Sequence, residues 1–148
     1  MGVVIQNTEP PLSAQRVKQV EKKYGIKLPL QYRNFLLAHN GGQPIPNEFH
    51  FKKKQGQYTD SIVDWFLAIY EGENDNFEEY YDTYKIDENR IPENLVPIAH
   101  DPGGNLICIS VSGDDEGAVF FWDHEHEEDG DNIHLIADSF DEFLSGLK

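Results

Sequence analysis

The densest run of groups able to do chemistry is Asp123-His124-Glu125-His126-Glu127-Glu128-Asp129-Gly130-Asp131, six carboxylates and two imidazoles in nine residues. Oxygen donors beside imidazoles can hold a divalent cation. The spacing matches neither a calcium loop, which needs glycine at its sixth position, nor His-Glu-x-x-His. On an extended strand end His124 and His126 would point the same way, which permits a chance divalent site and, with it, a metal-dependent hydrolase. The competing reading is a solvated acidic loop, because blocks of like charge stay in water. The sequence favours that loop, so no metal and no cofactor are expected.

A second constellation, Asp101-Pro102-Gly103-Gly104-Asn105, either presents Asp101 and Asn105 to a partner from a rigid sheet edge or is simply a β-turn. A third, Ser112-Gly113-Asp114-Asp115-Glu116, is an exposed turn between two strong strands. Cys108 sits in Leu106-Ile107-Cys108-Ile109 and reads as a small hydrophobe rather than a nucleophile. There is no nucleophile elbow, no Walker lysine and no Gly-x-Gly-x-x-Gly, and Ser110 and Ser112 lack an activating context. No catalytic residue is expected, and the chain reads as a non-enzyme.

Charge narrows the partners. Residues 1–54 carry nine basic and three acidic side chains, a net of +6, whereas residues 55–148 carry three basic and 24 acidic, a net of −21. Such a field repels nucleic acid and anionic lipid and attracts basic protein surfaces. Solubility alone is the plain alternative. A single cysteine rules out an internal disulfide and suits a reducing compartment. The start, MGVVIQNTEPPL, lacks the charged and apolar regions of a signal peptide, and no apolar run nears the ~20 residues of a membrane span. A cytoplasmic location is expected.

The elements that must position these groups read as one α+β domain over residues 1–148. Ser13 caps a first helix, with Leu12 and Val17 as a staple, Val17, Val20 and Tyr24 on one face, and Gly25 as its stop. A second runs from about Leu30 to His39, with Tyr32, Phe35 and Leu36 inward, and ends at Asn40-Gly41-Gly42. Strands are expected at Asn47–Phe51, at Ser61–Tyr70 with Val63, Trp65, Leu67 and Ile69 sharing a face, and at Leu95–Ala99, where Pro97 suggests an edge. Lys52-Lys53-Lys54-Gln55-Gly56-Gln57 is a polar hairpin loop. Asp64 is either outward-facing or a buried group needing a partner. Asp75 with Glu78 caps a third helix bearing the stripe Phe77, Tyr80, Tyr81 and Tyr84, which is core spacing more than a ligand-stacking surface. Further strands follow at Asn105–Val111, Gly117–Trp122 and Ile133–Ile136. Ser139 and Glu142 form a capping box for a last helix with Phe140, Phe143, Leu144 and Leu147. Of Phe121 and Trp122, one should face the core and the other is a candidate anchor for a partner.

Two ordered blocks carry a resemblance. Leu28-Pro29-Leu30-Gln31-Tyr32-Arg33-Asn34-Phe35-Leu36 runs into Asn40-Gly41-Gly42. Later, Ile91-Pro92 and Leu95-Val96-Pro97-Ile98-Ala99 lead to Asp101-Pro102-Gly103-Gly104-Asn105-Leu106-Ile107-Cys108, then to residues 117–125 and 136–144. Residues 43–90 carry little signature. The ordered set resembles the Smi/Knr-type branch of the SUKH superfamily. The resemblance implies a mostly antiparallel sheet of about six strands flanked by four helices. It also implies immunity-type proteins that bind toxins, often nucleases, or, in a fungal branch, regulators of cell-wall synthesis. The expected role is therefore an immunity-type protein holding a basic toxin domain, with a regulatory scaffold as the alternative. The expected contacts are Asp101, Asn105, Asp114, Asp115, Glu116, Trp122, Asp123, Glu125, Glu127 and Glu128.

Overall fold

The computed structural model describes residues 2–53 and 56–148, so Lys54 and Gln55 of the expected hairpin loop lie outside the described residues. Helix α1 spans Ala14–Tyr24, where the Ser13 hydroxyl accepts the Arg16 N–H and Gly25 closes the helix at φ 65°. Val17 and Val20 are fully buried. The following connector is fastened by the buried Glu21 carboxylate, which accepts the Leu28 N–H at 2.7 Å and pairs with Arg33 at 3.3 Å. Helix α2, Leu30–Ala38, then turns Tyr32 and Leu36 into the core.

At the end of α2 the chain crosses a crowded junction. The Asn40 amide donates to the carbonyls of Pro10 and Ile69 and accepts the Ile69 N–H, all at 2.8–2.9 Å. Its own carbonyl accepts the Glu9 N–H. A Cβ on Gly41 would lie 2.7 Å from Ala68 Cβ, and one on Gly42 would lie 2.6 Å from the Gln6 carbonyl oxygen. Both residues also have positive φ. Glycine is therefore required twice by space and by conformation.

Among the described residues, nine strands follow or flank this junction. β1 (Val4–Gln6) pairs with β2 (Gln43–Ile45), and β3 (Glu48–Lys52) pairs with β4 (Tyr58–Ile62). The main sheet is antiparallel throughout, in the order β5 (Trp65–Phe66), β6 (Leu95–His100), β7 (Leu106–Ser110), β8 (Val119–Trp122) and β9 (Ile133–Ala137). Helices α3 (Phe77–Tyr80) and α4 (Phe140–Ser145) complete the α+β fold, four α-helices among the described residues with a mostly antiparallel sheet. Six strands were expected. The additional ones are two or three residues long and arise from β1, β2 and the division of the 61–70 stretch.

That stretch is not one strand. The Val63 N–H still bonds Asn47 beside β3, but the Asp64 N–H bonds His100 of β6, so the chain changes sheets there. Residues 66–69 are then buried in succession, while Trp65 is half-buried, which removes the expected alternation. Asp64 faces partly outward. Strand β6 is also not an edge: β7 pairs along its length and β5 covers its last two residues. Pro97 is accommodated because the register with β7 shifts between Pro97 and Ala99, a bulge that tolerates the missing N–H.

The main sheet is buried on both faces. Ile107, Ile109, Val119 and Phe121 join Val17, Tyr32, Phe49, Phe140 and Phe143 in the principal core. Leu95, Leu106, Cys108 and Trp122 form a second cluster with Ile91 on the opposite face. Segment 76–87 closes that face, and its start differs from expectation by one residue. Asn76, not Asp75, is the cap, its side chain accepting the Glu79 N–H. Asp75 instead holds a left-handed φ of 53° and its carboxylate meets His100 Nε2 at 2.5 Å. Beyond Tyr80 the helix widens to a π-helix over Tyr81–Asp87. This splits the aromatic stripe: Phe77 and Tyr81 enter the principal core, while Tyr84 packs on the second cluster and Tyr80 on both. Lys85 then donates to the carbonyls of Pro92, Glu93 and Leu95, and burial lowers its pKa. Tyr24 of α1 stacks on Tyr81 with centroids 3.8 Å apart. No helix among the described residues is long and apolar enough to cross a membrane.

Asn40→Ala would remove the side-chain partners of the N–H and carbonyl of buried Ile69. The expected loss in urea unfolding is about 3 kcal/mol; a loss below about 1 kcal/mol would mean that the glycines alone hold the junction.

Glu78 reaches from α3 to Arg16 and Lys23 of α1. Burial pushes its pKa up, but Lys23 and Arg16 outweigh burial and hold the carboxyl below its ordinary value. A depressed carboxyl stabilises the fold above its unfolded pKa of about 4.3 and loses that contribution as pH falls through the lower folded value. The stability gap between wild type and Glu78→Gln should stay constant from neutral pH to about pH 5 and shrink below it. A gap that widens on acidification would contradict the assignment.

Candidate functional site

Strand pairing decides which candidate residues can act together. Leu106 lies opposite Trp122, and Ile109 opposite Val119. The turn at 112–117 is therefore at one end of the main sheet, while the loops at 101–105 and 123–131 are at the other. Four residues of β8 separate them, roughly 13 Å of strand. The expected contact set is two patches, not one.

At the first end most candidate groups face inward. Asp101 is 6% exposed. One carboxylate oxygen accepts the N–H groups of Gly103 and Asn105, and the other accepts the Ser61 hydroxyl and the Asn105 side-chain amide, all at 2.8–3.0 Å. Asp101 thus shapes its own loop and does not present a carboxylate to a partner, a correction to the expected contacts. With its amide donating to Asp101, Asn105 turns Oδ1 to His124, accepting both the backbone N–H at 3.1 Å and Nδ1–H at 2.7 Å. Asp123 caps a short 3₁₀ turn, His124–His126. The strand end expected there does not exist, and the two imidazoles diverge: His124 goes to Asn105, and His126 to Asp129 at 3.2 Å. Among the described residues, no group of three or more His, Cys, Asp or Glu is arranged to hold a metal ion.

Trp122 is also corrected. It is fully buried in the second cluster and Phe121 is buried in the principal core, because the sheet has an apolar layer on each side. Neither can anchor a partner. What covers Trp122 is Arg90, whose guanidinium carbon sits 4.9 Å from its ring and 5.3 Å from that of Tyr84. Nε and Nη2 of Arg90 donate to Glu127 and Nη1 donates to Glu88. These bonds, to Glu127 first, raise the Arg90 pKa above its ordinary value. Glu127 is therefore engaged, whereas Glu125 and Glu128 remain exposed. Arg90 was missed in the sequence, although it is one of three cations in residues 55–148.

The second end is different. Asp114, Asp115 and Glu116 are all exposed. The turn is braced by the Glu116 N–H to Gly113 and the Ala118 N–H to Asp115. Asp115 accepts the hydroxyl of buried Ser110 at 2.6 Å. Among the described residues no cation pairs with Asp114 or Glu116. Cys108 is fully buried between the two ends, and burial pushes its thiol up to about 12, which makes it inert packing.

The profile of the SMI1 / KNR4 family (SUKH-1) matches residues 11–146. A curated relative, the SPbeta prophage-derived uncharacterized protein YokK of Bacillus subtilis (strain 168), is 30% identical over 147 residues. The match covers 90% of this chain and 73% of that protein.

Arg90→Met keeps an aliphatic cover over Trp122 but removes both ion pairs. Amide exchange across 123–131 should speed up by about tenfold while β7 stays protected, as local opening without global unfolding requires. Unchanged exchange in that loop would mean that Arg90 does not hold it.

Proposed function

The chain belongs to the SMI1 / KNR4 family (SUKH-1), and we propose that it is an immunity-type protein that binds and neutralises a cognate toxin, a basic nuclease-type domain, in the cytoplasm. The observation that carries this reading is the charge of residues 55–148, 24 carboxylates against three cations. Two of those three cations, Lys85 and Arg90, are bound to groups of the same segment, so little positive charge is left to offset the exposed turns. A nuclease needs a basic cleft for phosphate, and an acidic protein surface complements that cleft. The same field disfavours nucleic acid as the partner. The reading requires no catalysis and no cofactor, since inhibition by occupancy is enough.

After the structural corrections, Asp114, Asp115, Glu116, Glu125 and Glu128 face outward and are the proposed contacts. Asn105, Asp123 and Glu127 brace the loop that carries Glu125 and Glu128. Purification of the tagged protein from its own organism at low salt should retain a basic toxin domain that moderate salt releases. Reversing Asp114 and Glu116, or Glu125 and Glu128, to lysine should slow association by about tenfold or more at whichever patch is in contact, and flatten its salt dependence. Recovery of only signalling or envelope-synthesis proteins would replace this reading with the regulatory scaffold.

A further inference from the structure

Resting on the reading of a basic protein partner, we propose that the partner docks at the 112–117 end of the sheet, where a cleft takes an aliphatic side chain flanked by lysine or arginine. The cleft measures about 270 Å³ and lies between the first turn of α2, the β7–β8 turn and the start of α4. Its walls bring Pro29 and Leu30 together with Glu116, Asp138 and Phe140. Leu30 is 67% exposed in a helix whose other large apolar residues, Tyr32, Phe35, Leu36 and Leu37, pack on the core. An apolar side chain left in water at the lip of a cleft gains by being covered.

The rim fixes the chemistry of what covers it. Glu116 and Asp138 are exposed, and no cation among the described residues pairs with either. An entering segment must therefore supply both an apolar contact and positive charge. The opposite end lacks this combination: its aromatic residue is buried under Arg90, and Glu127 is already paired. The cleft is also built in advance. Gln31 accepts the Asp141 N–H and joins α2 to α4, while Ser139 caps α4 through Glu142. A site made from three fastened elements loses little entropy on binding.

The test uses the isotope-labelled full chain and two synthetic probes, acetyl-Arg-Leu-Arg-amide and acetyl-Arg-Gly-Arg-amide, followed by amide chemical shifts. The leucine peptide should move the signals of Leu30, Gln31, Glu116, Gly117 and Ser139 most. Leu30→Ser should weaken it by about fivefold without unfolding the exposed position, and Glu116→Gln should weaken both peptides. Equal binding of the two peptides, or largest shifts in 123–131, would overturn the proposal. The peptides report on the cleft whether or not a toxin is ever recovered. Failure here with a toxin in hand therefore removes only the docking site, and a positive map without a toxin removes only the immunity role.

Discussion

The side-chain amide of Asn40 stands in for a backbone peptide group at the point where three stretches of chain meet. It donates to two carbonyls and accepts one N–H, bonding the segment before α1 to residue 69, and it does so without solvent. A buried amide that finds all these partners is stabilising, and one that loses any of them is costly. The glycines after it let β1 and the 66–69 segment approach within a distance that excludes a Cβ. Much else follows from that closeness. β5 can reach the edge of the main sheet, α1 and α2 are drawn over the principal core, and α3 starts where Tyr24 can stack on Tyr81.

The second organising effect is where positive charge is placed. Lys85 and Arg90 flank the end of the π-helix and both bind groups of their own segment. Lys85 caps three carbonyls ahead of β6, and Arg90 spans from Tyr84 and Trp122 to Glu127. Lys85 fastens the 92–95 segment, and Arg90 the acidic 123–131 loop, to the apolar layer beneath. The 123–131 loop is consequently held by Arg90 through Glu127, the 112–117 turn is braced by its own backbone, and the field the two project stays negative.

Much of the fold was legible because caps and periodicity agree. Ser13 with Gly25, and Ser139 with Glu142, bound α1 and α4 as the sequence indicates. Strands β7, β8 and β9 follow their apolar runs. The errors have physical sources. Two- and three-residue strands have no period to detect. Asp75 and Asn76 are both good caps, and the choice between them depends on His100, twenty-five residues away. The π-helix keeps the spelling of an α-helix while turning Tyr84 to the other side of the sheet. At the site, composition correctly marked loops rich in carboxylates, but it could not tell an outward acid from one that bonds its own loop. Asp101 failed for that reason, and Trp122 because the sheet is covered on both faces, so that neighbours on one strand are both buried. Arg90 was readable as an isolated cation amid acids, and Leu30 was not, because its exposure is set by what α2 packs against.

The placement of the two acidic turns at opposite ends of β7 and β8 has a further consequence for how such a scaffold changes over time. The intervening strands are buried apart from the half-buried Phe120, and neither turn shares a hydrogen-bond partner with the other. Substitutions at the two ends should therefore combine additively. Either end can change its surface without disturbing the packing or the loop at the other.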